Sequence, residues 1–300
     1  ALISGCFPVL LSFVLQKYFN LFGPFATLNG LIVWFQRHGQ SGISGLFSNP
    51  NYAGNWLALS LPFSLFLLQR EKSQIFRKII LIIFCISIVI GILITSSRNA
   101  LLGVIIATLM LYGFRKSIYI LLFSMCTFFA TNLIIFLING GTIIKEYLIP
   151  NNLINKLLIF DYPRFAIWLS ALSRIKERPL LGWGPSTFPL LHNEYDKVFF
   201  VPKPIILANH SHNIAFELAH NFGIPLAIIL IITIFIIVIR SLKYIYKEYE
   251  SNEIFLLNKA WLASSLIAIS SHLTDITYYD GKISILICTI FAGLKCIGNK

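Results

Sequence analysis

The sequence is poor in charge. Only 12% of residues are charged, against about one quarter in soluble domains, while 57% are apolar. That deficit excludes an ordinary water-soluble domain. Acidic residues are the scarcer kind: 12 Asp and Glu stand against 24 Lys and Arg. No DxD motif falls in the segments read below as outer. A nucleotide-sugar transferase that needs a divalent metal is therefore disfavoured. P-loop and GxGxxG patterns are both missing. The five cysteines (Cys6, Cys85, Cys126, Cys288 and Cys296) are scattered without a CxxC pair, so neither a disulfide framework nor a zinc module is indicated. There is no internal repeat and no low-complexity tract.

Apolar runs fill the space that charge leaves. Several reach or approach the ~20 residues that cross a bilayer. Backbone groups in lipid must be paired internally, and continuous apolar runs exclude a closed barrel. The expected fold is all-α: a polytopic integral membrane helical bundle, with residues 1–300 forming one membrane domain. The chain opens at Ala1 inside an apolar run and is read as a fragment lacking N-terminal helices. Expected spans are Leu2–Gln16, Ala53–Leu68, Ile79–Thr95, Ala100–Phe114, Ile118–Ile138, Ile214–Ile239, Trp261–Thr274 and Ile283–Cys296. Lys17–Gly45 is mixed in composition and is a candidate for a re-entrant or interfacial piece.

The formal charge of +12 does not point to nucleic acid, because the basic residues sit in short loops between spans. That asymmetry sets topology. Arg70 to Lys78, Arg115-Lys116 and Arg240 to Lys259 fall on one side under strict alternation, which is read as cytoplasmic. Residues 139–213 then form one large extracytoplasmic loop. A loop of that length is usually functional or disordered, and its aromatics and helix signals favour order. One helix is readable inside it. Asp161 suits the cap, Pro163 the first turn, and Pro179 the stop. Arg164, Trp168, Ala171 and Ile175 share one face. Arg174 and Arg178 share another.

The richest polar stretch runs from His210 to Pro225 and holds three of the six histidines. Ionisable groups are disfavoured by about 2.5–3.5 kcal/mol each at mid-bilayer, so this cluster at a helix mouth invites a functional reading. Asn213 and Glu217 are four apart and share a helix face. His210 and His212 lack a third metal ligand at recognisable spacing, and no metal is expected. His272 and Asp275, three apart, are read as a buried structural pair. Arg98, Arg164 and His212 all belong to the outer side. Two guanidiniums and an imidazole suit a diphosphate leaving group and a hydroxyl nucleophile. These three are the candidate catalytic residues. Asn49, Asn51, Trp168, Arg174, Asn213 and Glu217 are the candidate substrate contacts.

Four stretches resemble the O-antigen ligase and polymerase superfamily of bacterial membrane proteins. They are Gly45-Leu46-Phe47-Ser48-Asn49-Pro50-Asn51-Tyr52-Ala53-Gly54, Thr95-Ser96-Ser97-Arg98-Asn99-Ala100, the segment from Arg164 to Gly184, and His212-Asn213. They come in the family's order. The ligase signature places Gly-x-x-Gly nine residues after His-Asn; here Gly223 is in register and Leu226 replaces the last glycine. The resemblance implies a metal-independent, cofactor-free glycosyltransferase in the bacterial inner membrane. Its donor would be an undecaprenyl-diphosphate glycan, its acceptor a glycan or a lipid A-core-type sugar, and membrane lipids its surroundings. Arg98 and Arg164 match the family's functional arginines and His212 its histidine. The rival expectation is a small-solute or inorganic-carbon transporter, which should show broken helices and midplane charges.

Overall fold

The computed structural model of the protein describes residues 2–21, 25–27, 32–34, 42–138, 162–192, 208–247 and 252–299. The chain is a polytopic helical membrane protein. Among the described residues, five helical stretches are long and apolar enough to cross a membrane: Ile75–Thr95, Arg98–Ile120, Ile224–Lys247, Glu253–His272 and Gly281–Gly298. Two compact units divide the chain. The first is Ala1–Leu158 with Tyr249–Ile267, the second Ile159–Glu248 with Ala268–Lys300.

The first unit holds α1 (Cys6–Tyr18), β1 (Phe25–Thr27), β2 (Ile32–Trp34), α2 (Pro50–Arg70), α3 (Ile75–Thr95) and α4 (Arg98–Ile138). Most of α8 (Asn252–His272) joins them. Helix α2 is its centre and packs on both α3 and α4. Its 21 residues make about 31 Å at 1.5 Å each, enough to span a bilayer. Buried Asn55, Ser60 and Ser64 lower its hydropathy, and small residues at Gly54 and Ala58 allow close approach. Gly54 lies against Thr95 and Ala100 at the α3–α4 turn. Ser96 closes α3 in the left-handed region at φ 55°. From α8, Ser264 Oγ donates to the Leu59 carbonyl at 2.7 Å, three residues before Pro62, and Trp261 meets Phe63 edge to face.

Two expectations meet the structure in this unit. In Lys17–Gly45, the candidate for a re-entrant or interfacial piece, the described residues contain a small antiparallel ribbon, with Phe25 opposite Trp34 and Thr27 opposite Ile32. The runs Ala100–Phe114 and Ile118–Ile138 lie within one element, α4, interrupted at Gly113 (φ 76°, ψ 166°). The interruption stands two residues before the basic pair that was expected to mark it.

The second unit contains α5 (Tyr162–Glu177), α6 (Ile214–Phe222), α7 (Ile224–Lys247), the end of α8 and α9 (Gly281–Gly298). Helix α5 begins at Tyr162, with Pro163 in its first turn as expected. Asp161, its expected cap, lies outside the described residues, as do 139–160 and 193–207 of the large loop. Helices α7 and α9 pack side by side, and Ser241 Oγ donates to the Leu294 carbonyl at 2.7 Å. The span expected as unbroken over Ile214–Ile239 is broken at Gly223 (φ 87°, ψ 162°) into α6 and α7.

Candidate active site

The break at Gly223 is built from backbone. A Cβ at Gly223 would lie 2.0 Å from the Leu180 carbonyl oxygen, and one at Gly182 would lie 2.6 Å from that of His220. Both glycines have positive φ, which side chains disfavour. Across this contact Trp183 N–H donates to His220 O at 2.7 Å and Gly184 N–H to Asn221 O at 3.0 Å. In return Ile224 N–H donates to Pro179 O at 2.7 Å. Carbonyls freed at the end of α6 are thereby paired, as a buried helix end requires. The turn over Gly182–Pro185 thus serves as a clasp on α6. Trp183 Nε1 also donates to Arg174 O at 2.8 Å, and the Arg178 guanidinium lies 4.1 Å over the Trp183 ring.

Helix α5 packs on α6. Ile167 and Ala171 join Phe188, Ala208 and Phe216 in one apolar cluster, and Ile175 joins Ala219 and Ala227 in another. Trp168 meets Phe216 edge to face at 6.2 Å. Arg164, one turn earlier on the same face, is half-buried. His192 bonds Ser170 Oγ at 2.9 Å and stacks on Phe188, while buried His220 meets Phe188 edge-on.

His212 stands just ahead of α6 in the left-handed region at φ 53°, a conformation that a side-chain-bearing residue keeps only when its surroundings hold it. Its neighbours are fastened on both sides. Ser211 N–H donates to Glu217 Oε2 at 2.9 Å, and Ser211 Oγ donates to Asn213 O at 3.0 Å. Asn213 caps α6, with Oδ1 accepting from Ala215 and Phe216 N–H, and its Nδ2 donates to Leu273 O at 2.9 Å.

The His212 ring reaches across to the loop between α8 and α9. Nδ1 lies 3.0 Å from Asp275 Oδ1. The His212 side chain is 27% exposed and the Asp275 side chain 3%. Burial would raise the Asp275 pKa. The hydrogen bond from His212, the charges of His212 and His210, and the Ile276 N–H outweigh it and bring the pKa down to about 2. An ionised carboxylate only accepts, so His212 Nδ1 carries the proton that donates. In the neutral ring Nε2 then keeps its lone pair. Asp275 was expected to pair with His272. Asp275 Oδ1 is taken by His212 and Ile276 N–H, and His272 Nδ1 donates to Ala268 O at 2.7 Å, the i−4 carbonyl of its own helix.

Beside this pair, His210 lies with its ring centroid 4.2 Å from that of His212 and 5.8 Å from that of Tyr279. Burial pushes the His210 pKa down to about 4. The His212 charge adds to that, Asp275 and Glu217 oppose it, and Arg164 adds further. His210 is thus neutral near pH 7, and the Arg164 guanidinium is close enough for the ring to feel its charge. One ligand-type atom from each of His210, His212 and Asp275 lies within 4.8 Å of the others. The third ligand missing from the sequence pattern is therefore present in space.

Glu217 is 1% exposed. Oε2 accepts from Ser211 N–H, and Oε1 accepts from Asn221 Nδ2 and from Tyr279 OH. The carboxylate ties the His212 loop, α6 and the α8–α9 loop together. Arg174 is likewise engaged: Nη1 pairs with Glu177 at 3.2 Å and Nη2 donates to Leu191 O at 3.1 Å. The remaining sequence candidates belong to the first unit. Asn49 caps α2, accepting from Asn51 N–H at 2.9 Å. Asn51 lies half-buried in the first turn, and Arg98 opens α4. Sequence reasoning missed Asp275 as the partner of His212 and Tyr279 as a partner of Glu217. The one available signal was a short run of polar and aromatic residues, Thr274 to Asp280, between two apolar helices.

A family model described as O-Antigen ligase matches residues 83–231 of the chain. No curated protein matches it. The matched stretch includes Arg98, Arg164, His212 and Gly223 and ends before Asp275.

Proposed function

From the match of an O-Antigen ligase family model to residues 83–231, we propose that the chain transfers an undecaprenyl-diphosphate-linked glycan to a sugar hydroxyl at the outer face of the bacterial inner membrane. The acceptor is a glycan or a lipid A-core-type sugar. The observation that carries this reading is the His212–Asp275 pair. The carboxylate fixes the ring so that Nε2 accepts, and the ring is partly open to an incoming hydroxyl. His212 Nε2 takes the acceptor proton as the hydroxyl oxygen bonds to the anomeric carbon. The bond from that carbon to the phosphate oxygen breaks, and the lipid diphosphate leaves with the electron pair. Arg164 and Arg98 are assigned to the diphosphate, where forked donors stabilise the growing charge. The chemistry needs no metal and no cofactor. General-base help of this kind is worth about 10²–10⁴-fold.

Within the reading, Asn213 and Glu217 act by shaping the site, since their polar atoms are already engaged, and Arg174 does so through Nη1 and Nη2. Asn49, Asn51 and Trp168 remain assigned to substrate contact. Residues 1–300 are taken as one membrane domain with residues 139–213 outside. The transporter alternative draws on one observation, the helix break at Gly223. Transporters use such breaks to bind cargo through unpaired backbone groups. Here the carbonyls of His220 and Asn221 are taken by Trp183 and Gly184, so the break offers no open ring of ligands.

The test is transfer from a purified lipid-diphosphate donor to an acceptor, with donor binding measured apart. His212→Ala should lose at least about 10²-fold in turnover and keep donor binding. Wild-type turnover in His212→Ala would overturn the assignment and move the transporter reading ahead.

A further inference from the structure

We propose that His210, His212 and Asp275 form a site for a zinc-class transition-metal ion, and that filling it switches transfer off. The second half rests on the reading of His212 as the base; the first does not.

The donor set is the first argument. Two imidazoles and one carboxylate suit zinc and its first-row neighbours, whereas magnesium and calcium take oxygen ligands. Geometry is the second. The three ligand atoms already lie within 4.8 Å of one another, and tetrahedral zinc with bonds near 2.0–2.2 Å needs them only modestly closer. The rings of His210 and His212 are inclined at 61° with centroids 4.2 Å apart, so they converge without stacking flat. The third argument is an orphaned atom. Nδ1 of His210 is buried and has no hydrogen-bond partner among the described residues. Buried polar atoms are rarely left so, and a ligand beside this ring would supply what the protein does not.

Three protein ligands leave at least one coordination position for water, the arrangement of an open rather than a closed site. The consequence for catalysis follows from Asp275. In the metal-free protein its Oδ1 receives the His212 Nδ1 proton. A cation seated between imidazole and carboxylate takes the Nδ1 lone pair, and the single proton of the neutral ring moves by way of solvent to Nε2. The carboxylate then serves the metal, and Nε2, now protonated, has no lone pair with which to accept the proton of a hydroxyl. His210 takes no part in the proposed transfer. It is the residue that can be changed to separate metal binding from chemistry.

The full chain, purified in detergent with a histidine-free tag and stripped with chelator, is titrated with Co²⁺. Visible d–d absorption reports binding. One equivalent should saturate it, and Zn²⁺ should displace it. His210→Gln and Asp275→Asn should each weaken Co²⁺ by more than the roughly 10–100-fold that losing an outer-shell partner costs. His210→Cys keeps a ligand and should add an intense near-ultraviolet thiolate-to-cobalt band. Absence of the visible spectrum, its persistence in His210→Gln, or absence of the thiolate band overturns the site. In the transfer assay Zn²⁺ should stop wild type and spare His210→Gln, and chelator should leave wild type fully active. Co²⁺ bound at the three residues with transfer undiminished by saturating Zn²⁺ would keep the site and overturn both the switch and the assignment of His212 as base.

Discussion

His212 and Asp275 stand 63 positions apart in the chain and 3.0 Å apart in space, imidazole nitrogen to carboxylate oxygen. Helices α6 and α7 and all of α8 intervene. The pair is therefore a product of the folded second unit, and no local element contains it. It also explains why a histidine tolerates a left-handed backbone: the strain of about 1–3 kcal/mol sets the direction in which the ring leaves the chain.

If Asp275 acts by fixing the tautomer, Asp275→Asn should be severe although nearly isosteric. An amide can donate to Nδ1, which moves the ring proton to Nε2 and removes the base. Turnover should fall about 10²–10⁴-fold, with donor affinity little changed. Single-turnover transfer alongside donor binding decides it. Full turnover in Asp275→Asn would remove the orienting role.

Arg164 should behave differently. Arg164→Ala is expected to weaken donor binding and turnover together, each by about 10–100-fold, the worth of a charge-assisted hydrogen bond. Arg164→Lys should recover only part, since an ammonium restores charge without the fork. Arg98→Ala should follow the same pattern, with non-additive effects in the double variant if both arginines hold one diphosphate. Unchanged donor binding in Arg98→Ala and Arg164→Ala would take the arginines off the leaving group.

Topology can be tested in intact cells with a membrane-impermeant thiol reagent. Ser186 and Ser73 are both exposed. In a background with exposed Cys288 and Cys296 and the other cysteines replaced, Ser186→Cys should label from outside. Ser73→Cys should label only after permeabilisation. The reverse result would invert the orientation drawn from the basic loops.

Gly223→Ala should cost stability before chemistry. The new Cβ would sit 2.0 Å from Leu180 O at a backbone angle of φ 87°, so the clasp must open or the break must straighten. A loss of at least about 1–3 kcal/mol is expected, read as a lowered melting temperature in detergent. A variant as stable as wild type would mean that the clasp is not under the constraint described.

Much of the fold was legible because apolar length and basic punctuation are local signals. The Pro163–Pro179 brackets framed α5. What escaped was non-local. The apolar character of Phe222 and of Ile224 onward runs through the break, so periodicity shows one helix. Only Gly223 with Pro225 two residues later hinted otherwise. Glu217 was expected to share a helix face with Asn213, which stands before α6 as its extended cap. Nothing in its own helix could reveal that Ser211 and Tyr279 would claim its oxygens. Asp275 was read against His272 because proximity in sequence was the only distance available.

The clasp between Pro179–Gly184 and the end of α6 also sets an order of biogenesis. The carbonyls of His220 and Asn221 take their partners from Trp183 and Gly184, residues translated roughly forty positions earlier. An unpaired carbonyl carried toward lipid with α7 would cost several kcal/mol. The donors are already synthesised when the acceptors emerge, so the ribosome delivers the two halves of the clasp in the sequence that insertion requires. A circular permutant that moved the α5 segment behind α7 would keep every contact on paper and lose that timing.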